Sequence, residues 1–123
     1  MTILLVFLSS ALSVFAIDWG SFQKDESRNG FSSENIKLPL KLDYEINIGE
    51  ELTGGILING NNFFFTTKSG MIGSGNSFAG TINWKRGLGE DIKSCAVLSE
   101  YDIFVCTISG NLFCISQKTG AII

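Results

Sequence analysis

The chain contains no histidine. That removes the commonest general base and the commonest metal ligand from its repertoire. It has a single proline, Pro39, just ahead of the first expected strand. Nine basic residues stand against twelve acidic ones, a formal charge of −3, and the basic residues form no cluster. Binding nucleic acid needs Lys and Arg gathered on one face to neutralise phosphates, so nucleic acid is excluded as a partner. Beyond the first sixteen residues no window carries an apolar stripe at the 3.6-residue period of a helix. There is no phosphate-binding loop, nucleophile elbow or zinc-type spacing. The apolar run Ile3–Phe15 is shorter than the ~20 residues of a membrane span.

That run reads as a signal peptide over residues 1–16. It is uncharged and interrupted by three serines, and Val14 and Ala16 sit where a signal peptidase requires small side chains. An uncleaved anchor is the alternative, since only the α-amino group supplies positive charge to the n-region. No cysteine stands at the cleavage point, so no lipid anchor is implied. Export makes the odd cysteine count, Cys95, Cys106 and Cys114, awkward. The simplest account is that these are tight positions accepting small side chains. A two-residue hairpin turning at Ser109-Gly110 would set Cys106 opposite Phe113 and Cys114 opposite Val105. The two sulfurs would then lie on opposite faces, and no disulfide between them is expected.

What the chain does have is a repeat. Residues 42–82 align without a gap on 82–122, with identities at Gly49/Gly89, Glu50/Glu90, Phe64/Phe104, Thr67/Thr107, Ser69/Ser109, Gly70/Gly110, Gly80/Gly120 and Ile82/Ile122. Tyr44/Trp84, Ile48/Leu88 and Ile72/Leu112 match in kind. A period near forty with strand-like content indicates propeller blades. Each repeat reads as four strands: 42–48, 55–59, 62–67 and 71–74 in the first, and 82–88, 95–98, 103–107 and 112–116 in the second. Phe63-Phe64-Phe65 and Ile103-Phe104-Val105 are bulky β-formers bounded by turn residues. Asn59-Gly60-Asn61 and Lys68-Ser69-Gly70 are turn chemistry. The expected organisation is a lead-in over 17–41, a first blade over 42–81 and a second over 82–123, all-β and made of four-stranded antiparallel blades.

The inner strands are almost continuously apolar, as strands covered on both faces are. Two blades cannot cover each other on both sides. The burial they forgo is comparable with the ~5–15 kcal/mol net stability of a whole domain. Such a pair needs a partner, whether another protein or further blades. Gly120-Ala121-Ile122-Ile123 repeats Gly80-Thr81-Ile82-Asn83 and would open a third repeat, so the chain reads as truncated before blade three.

The segment Gly110-Asn-Leu-Phe-Cys-Ile-Ser-Gln-Lys-Thr-Gly120 resembles the repeat of the quinoprotein-like (PQQ-like) β-propellers. Gly110, Phe113, Thr119 and Gly120 match that pattern, as do Gly80 and Trp84 at the close of the preceding repeat. Asp18-Trp19, Phe22, Asp25, Arg28 and Gly30 resemble the segment that opens these proteins, and Lys37–Tyr44 the lead into their first blade. The family's Ala-Leu-Asp is Cys114-Ile115-Ser116 in one repeat and Ser74-Gly75-Asn76 in the other, and its Trp is Tyr44 at the first blade. The resemblance implies that Trp84, Tyr44, Gly70, Gly80, Gly110 and Gly120 dock blades and close turns.

Some members of that family are quinone-dependent dehydrogenases using Ca²⁺ and a catalytic Asp. None of that set maps onto this chain, so no catalytic, cofactor or metal residue is assigned. Others are non-enzymatic, among them a lipoprotein that assists outer-membrane β-barrel assembly. The resemblance therefore implies an exported interaction scaffold. The N-terminal piece of a quinone dehydrogenase is one alternative, and a ligand-sensing propeller of a multidomain surface protein is another. The recurrent polar feature is Glu50-Glu51 against Glu90-Asp91, which reads either as an acidic rim for a cation or basic peptide or as a solvated loop.

Overall fold

The computed structural model describes residues 18–123, so the signal-peptide reading of residues 1–16 lies outside the described residues. The described chain is all-β. Strands β1 (Leu52–Asn59), β2 (Asn62–Thr67), β3 (Met71–Asn76) and β4 (Thr81–Gly87) form an antiparallel sheet in sequence order. Strands β5 (Val97–Leu98), β6 (Asp102–Cys106) and β7 (Leu112–Ser116) form a second. Ile122 bridges Ile115, and the Ile123 N–H donates to the Cys114 carbonyl, so 121–123 begin beside β7 as β4 begins beside β3.

The connections follow from turn chemistry. Between β2 and β3 the Gly70 N–H closes a turn onto the Thr67 carbonyl, and Gly70 holds a φ of 86°. Gly110 does the same after Thr107 at 87°. Each is a three-residue loop ending in a left-handed residue, a position that favours glycine. Between β3 and β4 the Asn76 side-chain oxygen accepts from the Phe78 and Ala79 N–H groups, and the Gly80 N–H returns to the Asn76 carbonyl. That compact turn makes β3 and β4 a hairpin.

The hairpin shifts the sheets relative to the repeat. Strand 82–88, expected to lead the second repeat's sheet, pairs with β3 as the outer strand of the first. Its counterpart, 42–48, is not a strand. A strand exists by its ladder, and among the described residues no β3-like neighbour stands beside this segment. The β6–β7 register also differs from expectation. Cys106 pairs with Leu112 and Phe104 with Cys114, because the loop is one residue longer than the two-residue turn. A shift of one residue exchanges the faces. Cys106 and Cys114 therefore share a face with Phe104 and Leu112, and all three cysteines are free.

The core lies between the sheets. Leu57, Phe64 and Ile72 of the first meet Ile103, Val105 and Ile115 of the second, with Ile92 and Ala96 of the crossover between them. In β2 the four residues Phe64–Thr67 are all buried. In β6 burial alternates instead. The first sheet is covered by the second on one face and in part by residues 44–48 on the other, whereas the second has one bare face. Residues 18–20 tie the two sheets together. Trp19 exchanges backbone hydrogen bonds with Ile58 on the edge of β1, and the Gly20 carbonyl accepts from the Leu98 N–H of β5.

Phe64 is 2% exposed and its repeat counterpart Phe104 is 38% exposed. Phe64→Ala is expected to destabilise the chain by about 3–5 kcal/mol and Phe104→Ala by about 1 kcal/mol. Denaturant unfolding of both variants measures the difference.

Candidate interaction surface

The junction between the sheets is built by an aromatic ring on a glycine. Gly120 is buried with a φ of 69°. A Cβ there would lie 2.5 Å from Cε3 of Trp84, so the bare Cα is what admits the ring. Trp84 then donates its Nε1–H to the Gln117 carbonyl at 2.9 Å and stands 6.4 Å from the Phe64 ring. Arg86, two residues along β4, donates Nε–H to the Gly120 carbonyl at 2.7 Å. Asn59 at the end of β1 donates to the Gln117 side chain at 2.9 Å.

Forty residues earlier the same contact recurs. Gly80 has a φ of 63°, and a Cβ there would lie 2.8 Å from Cγ of Tyr44. The Tyr44 hydroxyl donates to the carbonyl of Ser77, the counterpart of Gln117. Segment 42–48 thus holds, relative to the first sheet, the place that β4 holds relative to the second.

Glu50 and Glu90 clamp the three-residue hairpins. Glu50 accepts from the Thr67 and Ser69 hydroxyls. Glu90 accepts from the Thr107 hydroxyl and, at 2.7 Å, from the Asn111 amide. These hydroxyl hydrogen bonds, Ser69 foremost for Glu50 and Thr107 for Glu90, hold both carboxyls below the usual carboxylate range. Glu51 and Asp91 act through backbone: their carbonyls accept the N–H groups of Lys68 and Ile108. Glu51 adds an exposed ion pair with Lys68 at 3.2 Å. The second members of the pairs point outward beside the hairpins, and among the described residues no group of three or more acidic or cysteine side chains could hold a metal ion.

Gly70 and Gly110 share a turn but not an environment. A Cβ on Gly70 would lie 2.0 Å from the Glu90 carbonyl, and the Gly70 carbonyl accepts the Leu88 N–H at 2.8 Å. Gly70 is a turn and a junction together. Nothing comes within 4 Å of a Cβ built on Gly110.

Two apolar faces remain. One belongs to the second sheet and carries Val97, Phe104, Cys106, Leu112 and Cys114, with Leu112 67% exposed. The other belongs to the first sheet. There Tyr44, Ile46, Ile48, Ile56 and Phe63 line a groove of about 300 Å³. Phe63 and Phe65 lie over the cross-strand glycines Gly75 and Gly73. A third, wider depression of about 550 Å³ beside the lead-in mixes Asp25, Glu26, Arg28 and Lys93 with Phe22 and Val97. Of these surfaces, the sheet faces offer shape and apolar area, which suit docking more than bond making.

Sequence reasoning missed the bridging role of Gln117 and the Trp19–Gly20 strap. Gln117 acts at the Trp84 contact through its backbone carbonyl, which no side-chain comparison with Ser77 reveals. Of the cysteines, Cys95 fits the tight-position reading, since a Cβ on Gly54 would meet its Cα at 2.8 Å. Cys106 is exposed and does not fit it.

No protein-family model and no curated protein matches the chain. Among solved structures it is similar to BamB from Moraxella catarrhalis, with a TM-score of 0.62 and 25% sequence identity over 67% of this chain. The match spans 25% of the length of that protein. The fold is that of a β-propeller, and the two sheets are neighbouring blades of it.

Gly120→Ala adds a Cβ against the Trp84 ring at a left-handed φ and is expected to cost about 3 kcal/mol. Trp84→Ala is expected to cost a similar amount, and because both changes break one contact, the double variant should cost less than their sum. Chemical denaturation of the three variants checks this. Because Glu50 and Glu90 titrate lower when folded, the stability they supply is complete above their ordinary value of 4.5 and is lost as pH falls through the lower folded values. Thermal melts at decreasing pH should fall in that acid window, and Glu50→Gln with Glu90→Gln should flatten the dependence.

Proposed function

We propose that the chain is an exported, non-enzymatic segment of a PQQ-like propeller that acts as a protein-interaction scaffold. The observation that carries this reading is the pair of apolar blade faces left uncovered beside a junction whose polar groups are internally satisfied. The likeness to BamB supports an interaction propeller, and the resemblance of the Gly110–Gly120 segment supports the PQQ-like family. In this reading residues 1–16 direct export and are removed. Residues 17–41 are the lead-in, and 42–81 and 82–123 are the two repeat units.

The carboxylates do not contribute chemistry here. Glu50 and Glu90 serve the hairpins, where they are occupied by the Thr67, Ser69 and Thr107 hydroxyls. The working surface is instead the apolar area of the two faces, which binds a polypeptide by excluding water. Among the described residues no helix is long and apolar enough to cross a membrane.

The intact mass of the native product should begin at Ile17. The purified chain should retain an apolar-rich polypeptide in a pull-down, and Leu112→Asp should weaken that retention. Dye-linked oxidation of an alcohol after addition of pyrroloquinoline quinone and Ca²⁺ would overturn the scaffold reading in favour of a dehydrogenase.

A further inference from the structure

We infer that the partner of the two open faces is a second copy of this chain, docked head to tail. The inference rests on the interaction reading above and adds the identity of one partner. Its warrant is the junction already present inside the molecule.

That junction joins two different surfaces. The first sheet contributes the face of Leu57, Phe64, Thr66, Ile72 and Ser74. The second contributes the face of Ala96, Ile103, Val105 and Ile115. Shifted by the forty-residue period, the first surface becomes Val97, Phe104, Cys106, Leu112 and Cys114. That is the bare face of the second sheet. The second surface, shifted back, becomes Ile56, Phe63, Phe65 and Gly75. That is the groove face of the first sheet, where Ile56 is exposed, Phe63 is half-buried, and Phe65 and Gly75 are already covered. Each molecule therefore presents one half of its own internal junction at either end. The two halves differ, so the contact they make is heterologous.

The internal contacts specify the external ones. Leu88 donates N–H to the Gly70 carbonyl and Ile92 to the Lys68 carbonyl. The counterparts are Ile48 and Leu52 of one copy facing the exposed Gly110 and Ile108 carbonyls of the other. Trp84 beside Phe64 becomes Tyr44 beside Phe104. Glu90 covering Gly70 becomes Glu50 covering Gly110, where a Cβ now meets nothing. Thr66 is 3% exposed inside the junction, and its counterpart Cys106 is exposed. Association should bury Cys106 as the internal junction buries Thr66.

The test uses sedimentation velocity on the purified native chain over a range of concentrations, with two variants at exposed positions. Leu112 is 67% exposed and Ile56 43%, so aspartate at either leaves the fold intact, which circular dichroism checks. Leu112→Asp disables one face and Ile56→Asp the other, each weakening self-association about thirtyfold or more. Mixed in equal amounts, the two variants should form a dimer and nothing larger, because each retains the half that the other lost. Alkylation of Cys106 should slow as the wild-type concentration rises. A wild-type chain that stays monomeric, with Cys106 equally reactive at every concentration, overturns the inference. So does a variant mixture that forms no dimer, or Leu112→Asp associating by itself. In the first of these cases, retention of a foreign polypeptide still supports the scaffold reading, and its loss as well would sink both.

Discussion

Trp84 reaches from the outer strand of one blade onto the bare Cα of Gly120 in the next, and the rest of the junction is arranged around that contact. The ring needs a neighbour without a side chain, and the turn needs a residue at positive φ. One glycine meets both requirements. Once the ring is seated, its N–H finds the Gln117 carbonyl, and Arg86 reaches the Gly120 carbonyl beside it. The apolar core between the sheets then fills the space that the ring has spaced. Tyr44 on Gly80 repeats the geometry with a different donor, a hydroxyl in place of an indole N–H. The backbone carbonyl accepts either, so the contact tolerates the change.

The repeat was legible because its markers are backbone requirements. Gly70, Gly80, Gly110 and Gly120 all hold positive φ, and little else can take those positions. The phase of the repeat was not legible. Periodicity reports how long the unit is, and it does not say where a sheet begins. The Asn76 turn decides that by making β4 a hairpin partner of β3, so the first sheet draws on two repeats. The hairpin length was hidden for a related reason. Ser109-Gly110 serves equally as a two-residue turn or as the end of a three-residue loop. The Thr107–Glu90 and Ile108–Asp91 contacts select the longer one.

The acidic pairs take part in the hairpins they flank. On the page Glu50-Glu51 and Glu90-Asp91 look like a rim facing solvent. In the fold the first of each pair is occupied by hydroxyl donors from the loop it faces, and the second lends its carbonyl to the same loop. Their recurrence reflects a shared hairpin. What distinguishes the blades is burial. Gly70 is pressed by its neighbour and Gly110 is open, although their local sequences and conformations agree.

The strap at Trp19 and Gly20 has a consequence for the order in which the molecule assembles. The β1–β4 meander closes through short turns and can form from local contacts. The Gly20–Leu98 hydrogen bond joins residues far apart in the chain, and it has no docking site until both sheets exist. The entropy of that long loop is lost only when everything else is in place. The N-terminal strap can pair with β1 early, but it is therefore complete only once β5 is in place. Its release would uncover the edges of β1 and β5 while the interior stays folded.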